Sequence, residues 1–192
     1  MSESIRYNFL HKITKLVKPK TFIEIGVAAG DNAIHLLKNN SIERYDGYDV
    51  FDYNDIEFHK KAGNGKKCLS EKDIYAKLSP YCKNVVLHKG MTSDTLWGKD
   101  TYADMVWIDG DHRIEAIKND FDSVKSSKVI VFDDYYVTGE HAGYTIDKYG
   151  CNNIVDPLDV LITPPTNKFP NIRIAVLVYD TTLKANIKNI LV

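Results

Sequence analysis

The sequence predicts an α/β fold: a doubly wound, mostly parallel, seven-stranded sheet with helices on both faces. Three observations predict it. Short apolar runs alternate with segments of helical period from residue 4 to residue 132, the pattern of βαβ units. The run Thr21-Phe22-Ile23-Glu24-Ile25 passes into a Gly-bounded turn, Gly26 to Gly30, and then a helix start near Asp31. The last two apolar runs, 159–163 and 172–179, are joined by a connection that Pro164-Pro165 opens. They read as a hairpin closing the sheet with one antiparallel strand.

Each element has its own signal. Ile5, Phe9, Leu10, Ile13, Leu16 and Val17 recur at helical spacing over residues 4–17, and Pro19 closes that helix. Strand one is 21–25, and the helix after it, 31–39, carries Ile34, Leu36 and Leu37. Strand two is 45–50. Residues 51–69 are polar, contain Gly63-Asn64-Gly65-Lys66-Lys67, and read as a loop or insertion. Ser70-Glu71-Lys72-Asp73 is a helix start of capping-box type, and Pro80 ends that helix. Strands three, four and five are 84–88, 103–108 and 128–132. Ile114, Ile117, Phe121 and Val124 mark the helix between the last two. Residues 140–149 read as a helix, and 182–192 as a short terminal one. No internal repeat or second domain is visible, so 1–192 reads as one domain.

Composition narrows the class. The chain has 192 residues, 44% hydrophobic and 27% charged, ordinary for a soluble domain with a sizeable core. Lys plus Arg is 25 and Asp plus Glu is 26, so nothing suggests a polyanion-binding surface and no nucleic-acid partner is expected. Cys68, Cys82 and Cys151 stand far apart, which argues against a zinc site or a disulfide framework and fits a reducing compartment. No signal-peptide pattern and no long apolar run appear. The expectation is a cytoplasmic protein without a membrane partner, with room for a homodimer.

The turn after strand one carries the first chemistry. Its pattern is acid-x-Gly-x-x-x-Gly, from Glu24, Gly26 and Gly30. Clustered glycines let a backbone close on a pyrophosphate; here Val27, Ala28 and Ala29 fill the turn instead. A carboxylate facing the ligand favours one with cationic groups, such as a sulfonium and an ammonium. That describes S-adenosylmethionine (SAM). Any α/β protein can produce a strand-turn-helix of this kind, so further features matter. Asp49 ends strand two, 19 residues after Gly30, where an acid accepts hydrogen bonds from ribose hydroxyls. The plainer reading of Asp49 is a solvated loop acid beside Asp46 and Asp52. Gly90-Met91-Thr92 after strand three is placed to line an adenine, although a Met there also fills cores.

Two further apolar strands end in acids: Trp107-Ile108-Asp109-Gly110-Asp111-His112 and Val129-Ile130-Val131-Phe132-Asp133-Asp134. Both carboxyl ends open into the same crevice in a doubly wound sheet. Asp109, Asp133 and Asp134 are therefore candidates to converge, and clustered carboxylates need a cation. Oxygen-only ligands suit Mg²⁺ or Mn²⁺, or Ca²⁺, rather than zinc. The plainer reading is that these acids cap the following segments or are solvated.

Together these residues resemble a known family. Phe22-Ile23-Glu24-Ile25-Gly26, Ile108-Asp109-Gly110-Asp111-His112, the Ile114-Glu115 pair, Asp120 and Val131-Phe132-Asp133-Asp134 are similar to the class I SAM-dependent methyltransferases called methyltransferase 24. The resemblance covers roughly 20–136. It implies a Rossmann-like fold, SAM as cofactor, and kinship with metal-dependent small-molecule O-methyltransferases. It also implies a metal held by Asp109, Asp133 and Asp134. Where catechol-type relatives carry a Lys three residues after the strand-four acid, this chain has His112.

The expected reaction is in-line methyl transfer from SAM to a hydroxyl of a small-molecule acceptor such as a sugar or a phenol. Asp109 holds the site, and His112 is a candidate base because imidazole titrates near neutrality. A backbone-bonded helix-start residue is the equal alternative for His112, and His141 is a weaker candidate base. Tyr135, Tyr136, His141 and Tyr144 follow the strand-five acids and are expected to shape the acceptor pocket. Two rivals stand beside this reading: a hydroxylase-like or cell-surface sugar-assembly enzyme on the same fold, and a non-catalytic SAM or nucleotide-binding module.

Overall fold

The computed structural model describes residues 5–51, 69–137, 140–141, 144–166 and 170–191. The polar stretch with Gly63 to Lys67, and Cys68, lie outside these. Nine strands and six helices occur among the described residues. The helices are α1 (Ile5–Val17), α2 (Asp31–Asn39), α3 (Glu71–Leu78), α4 (Thr92–Thr95), α5 (Ile114–Val124) and α6 (Thr181–Leu191). The strands are β1 (Thr21–Ile25), β2 (Arg44–Asp49), β3 (Asn84–Lys89), β4 (Met105–Ile108), β5 (Val129–Tyr136), β6 (Glu140–His141), β7 (Tyr144–Thr145), β8 (Val160–Ile162) and β9 (Ile172–Val178).

Seven strands form one sheet in the order β3-β2-β1-β4-β5-β9-β8. The first five are parallel to their neighbours; β9 is antiparallel to β5 and to β8, as the hairpin expectation required. The order reverses at β1, between β2 and β4, so the switch point and its crevice lie at the carboxyl ends of those strands. Central strands are buried on both faces, which is why β4 reads Met-Val-Trp-Ile with no polar residue. One core holds Phe22, Met105, Trp107 and Val131 against α1, α2, α3 and α6. The other holds Ile23, Ile25, Val106, Ile108 and Phe132 against α5 and the 151–155 segment.

Three expectations change. Residues 140–149 do not form a helix: β6 and β7 pair antiparallel, and Tyr149 bridges back to Arg113. The flanking glycines 139, 143 and 150 oppose a helix, and Tyr144-Thr145 favour extended backbone. β5 runs on to Tyr136, because pairing with β9 resumes after a bulge between Phe132 and Tyr135. Asp133 and Asp134 therefore lie inside the strand at the bulge rather than beyond its end. The one-turn helix α4 was not visible in the periodicity, being only 4 residues long. By contrast the α3 start is as expected: Ser70 Oγ accepts from the Asp73 amide at 3.2 Å.

Candidate active site

The β1–α2 turn is built by backbone geometry. Gly26 has φ 92° and Gly30 φ 71°, values that an L side chain resists. Gly26 also lies against the end of β4: a Cβ there would stand 2.0 Å from the Asp109 carbonyl oxygen. The Asp109 amide in turn donates to the Ile25 carbonyl at 2.8 Å. Gly26 is thus required by the approach of β4, rather than by the ligand's own path.

Asp49 closes the turn from the side. Its Oδ2 accepts from the Ala28 amide at 2.7 Å, and its Oδ1 from the Phe51 amide at 3.1 Å. The Gly90 amide donates to the Asp49 carbonyl, which brings the β3 turn alongside. Met91 is exposed there. Thr92 and Trp97 Nε1 both hydrogen-bond Asp120, a buried carboxyl on α5 that burial raises to about 6. Asp120 therefore ties α5 to the β3–α4 turn.

Glu24 is enclosed by its neighbours. It is 1% exposed; Tyr45 Oη donates to Oε2 at 2.5 Å and Asn32 Nδ2 to Oε1 at 2.9 Å. Burial raises its carboxyl to about 7, against the lowering effect of those two donors. The reason is strand alternation: Glu24 shares a face with Phe22 and lies beneath the helices, not at the crevice rim. Asn32 also meets His11 of α1 at 3.2 Å. Asp109 is the more open acid; Tyr7 Oη of α1 donates to its Oδ2 at 3.0 Å, and the Tyr7 ring stands edge-on to Trp107. Neither Tyr7 nor Asn32 carries a motif, and only the fold brings them here.

Beyond Asp109 a narrow cleft of about 10 Å³, room for a single water, is lined by Asp111, His112, Phe132, Asp134 and Cys151. His112 Nδ1 is paired with Asp134 Oδ2. Burial alone would lower the imidazole, but the Asp134 carboxylate, helped by Asp109 and Asp111, raises it to about 9. Asp111 is held by Arg113, which lowers its pKa despite burial. The Gly150 amide donates to the His112 carbonyl and the Cys151 amide to that of Asp134, so the 149–151 segment walls the cleft. The side chains of His141 and Tyr144 lie outside the described residues.

The acid after β4 and the two within β5 each have other engagements or are enclosed. Asp109 receives Tyr7, Asp134 is paired with His112, and Asp133 is 2% exposed. Among the described residues no group of three His, Cys, Asp or Glu side chains is arranged to hold an ion. For SAM the fit is better. A tight turn fixed by Asp49, an open acid at Asp109 and an exposed Met91 offer partners for cationic, hydroxylated and aromatic parts of one ligand.

A family model described as a methyltransferase domain, methyltransferase 24, matches residues 23–135, more than half of the chain. The chain belongs to this methyltransferase family. Its activity class is therefore SAM-dependent methyl transfer. The match ends at Tyr135, so it takes in the turn, the Asp109–His112 loop and the β5 acids. Solved structures agree on the fold. TomG, an O-methyltransferase of Streptomyces achromogenes solved with SAM, is 16% identical, with a TM-score of 0.60 over 94% of this chain and 82% of that one. An O-methyltransferase of Bacillus cereus solved with S-adenosylhomocysteine is 15% identical, with a TM-score of 0.55 over 93% and 82%. No curated protein sequence matches the chain. No helix among the described residues of this methyltransferase is long and apolar enough to cross a membrane.

Proposed function

We propose that this methyltransferase transfers the methyl group of SAM to a hydroxyl oxygen of a small molecule bound at the mouth of the narrow cleft between Asp109 and Cys151. The observation that carries the reading is the His112–Asp134 pair, set in that cleft next to the Asp109 end of the β1–α2 turn. The O-methyltransferase activity of the two structural neighbours points the same way.

SAM, when bound, supplies a methyl group on a sulfonium, whose leaving group is already activated. The chain has to align the acceptor and manage its proton. Asp49 and the Gly26–Gly30 turn fix the cofactor end, and the Met91–Thr92 turn, held by Asp120, flanks the adenine. Asp109, oriented by Tyr7, would hold the ammonium. His112 accepts the hydroxyl proton through Nε2 when its ring is neutral, and Asp134 holds the ring by Nδ1 and stabilises the resulting imidazolium. A hydroxyl suits this arrangement because it has one proton to give to one base.

Metal assistance by Asp109, Asp133 and Asp134 is the second reading, favoured only by acids on two neighbouring strands. It requires Asp134 to part from His112. Methyl-labelled SAM offered with phenols, sugars and amines, with and without EDTA, tests both. The proposal expects label on oxygen, with turnover unchanged by EDTA. Label on nitrogen would overturn the hydroxyl assignment, and loss of activity in EDTA that Mg²⁺ restores would favour the metal.

A further inference from the structure

At the opposite end of the sheet from the crevice, a groove of about 580 Å³ lies at the amino ends of β1 and β2. It is lined by Lys15, Lys18, Lys20 and Lys38 with polar neighbours such as Asn40 and Ser41, and by no acid. Lys15 closes α1 and Lys38 closes α2; Lys18 and Lys20 belong to the link into β1. All four lysines are exposed. Lys20 is paired with Glu43 at 2.7 Å, and Lys38 stands over the Tyr81 ring at 4.7 Å. The ammonium groups of Lys15 and Lys18 have no carboxylate partner among the described residues. The whole chain carries a formal charge of −1, so this concentration of positive charge is local.

The backbone adds an independent observation. Lys18 has φ 50°, and its amide donates to the Thr14 carbonyl at 2.9 Å. That is the left-handed residue after a helix end, where glycine is the favoured choice. A lysine here accepts strain and sets its side chain at the groove. Lysines at helix ends also offset the helix dipole, which accounts for Lys15 and Lys38. Lys18, the residue just after α1, shares that role, whereas Lys20 lies outside both helices.

We propose that this groove binds an oligophosphate chain, free or as part of a nucleotide, at a site separate from the methyl-transfer crevice. Lysine ammoniums are point charges that take phosphate oxygens without a fixed fork geometry. The lining has no aromatic or aliphatic side chain beyond the lysine stems, which disfavours an apolar ligand or a protein interface core.

The test is calorimetry of the native protein with sodium tripolyphosphate at low ionic strength, with orthophosphate and ATP as separate arms. Tripolyphosphate is expected to bind at least about tenfold tighter than orthophosphate, and to weaken as salt rises. The variant K15Q/K18Q/K38Q should lose on the order of a hundredfold, about fivefold per lysine for a charge contact in water. A control of equal charge on the α5 side, K99Q/K118Q/K125Q, should retain binding. ATP binding as tightly as tripolyphosphate would assign the site to a nucleotide's chain, and weaker ATP binding to free polyphosphate. The single variant K18G gives a second readout. It should melt higher than native, because glycine relieves the left-handed strain, and yet bind tripolyphosphate about fivefold more weakly. Equal losses in the groove and control variants, or no tripolyphosphate binding by the native protein, would overturn the proposal.

Discussion

Asp134→Asn isolates the electrostatic work of one carboxylate. The change keeps the side chain's shape and removes its charge from His112 Nδ1. In the native protein the imidazole sits near 9, and Asp134 is the largest influence raising it above 6.5. Without that charge, burial pulls the ring down while Asp109 and Asp111 still pull up, so the value returns to the neighbourhood of 6.5. The midpoint should fall by roughly two pH units. At pH 7 about one native molecule in a hundred carries a neutral ring, against most molecules of the variant. If His112 takes the acceptor's proton, native kcat/KM rises about tenfold per pH unit from 7 toward 9, and the variant reaches its plateau near 7. The plateau itself should be lower, because an imidazolium formed in the variant lacks the charge of Asp134. The His112 Cε1 proton resonance followed against pH reads the midpoint directly, and a pH–rate profile reads its consequence. The linkage sign is also fixed. A folded-state pKa raised from 6.5 to about 9 gives stability that is complete below 6.5 and is lost as pH rises through 9. The native protein should therefore lose more stability than the variant across that window. An unchanged midpoint in the variant, or a native rate that is flat from pH 7 to 9, would refute the reasoning.

Other predictions address the cofactor side. Gly26→Ala should lower stability by at least about 2 kcal/mol, because φ 92° is strained for alanine and the new Cβ meets the Asp109 carbonyl; thermal melting checks this. Glu24→Gln should flatten the pH dependence of stability. The native carboxyl, raised from 4.5 to about 7, gives stability that is complete below 4.5 and lost as pH rises through 7, a change on the order of 3 kcal/mol measurable by urea unfolding. Tyr7→Phe should weaken SAM binding by roughly fivefold, since Asp109 Oδ2 loses its 3.0 Å donor; calorimetry reads it. Asp120→Ala should loosen the turn that Trp97 and Thr92 share with it, and raise KM for SAM more than it lowers kcat.

The fold was largely legible because its signals are local. Unbroken apolar runs such as Met105–Ile108 can only be buried strands, and the Ser70 cap announces α3. The Gly26–Gly30 turn was legible for a related reason, since positive φ leaves glycines in sequence, whereas the hold of Asp49 on the Ala28 and Phe51 amides was not. What failed was pairing between distant segments. Nothing local shows that Tyr7 reaches Asp109 across 102 positions, or that the imidazole of His112 pairs with Asp134. Glu24 was legible as an acid two residues before Gly26, but its donors Tyr45 and Asn32 were not, because only the fold brings them to it. The 140–149 stretch misled because its last residue, Tyr149, and Gly150 just after it are held by Arg113 and His112, which are distant in sequence.

The account stands on SAM occupying the crevice between the β1–α2 turn, Asp49 and Asp109. Titration calorimetry with SAM on the native protein and on Asp109→Ala tests that directly, with NAD as a control ligand. The account predicts one SAM per chain, at least tenfold weaker binding in Asp109→Ala, about 1.4 kcal/mol or more, and no tight binding of NAD. Full-strength SAM binding in Asp109→Ala, or tight NAD binding with no response to SAM, would contradict it.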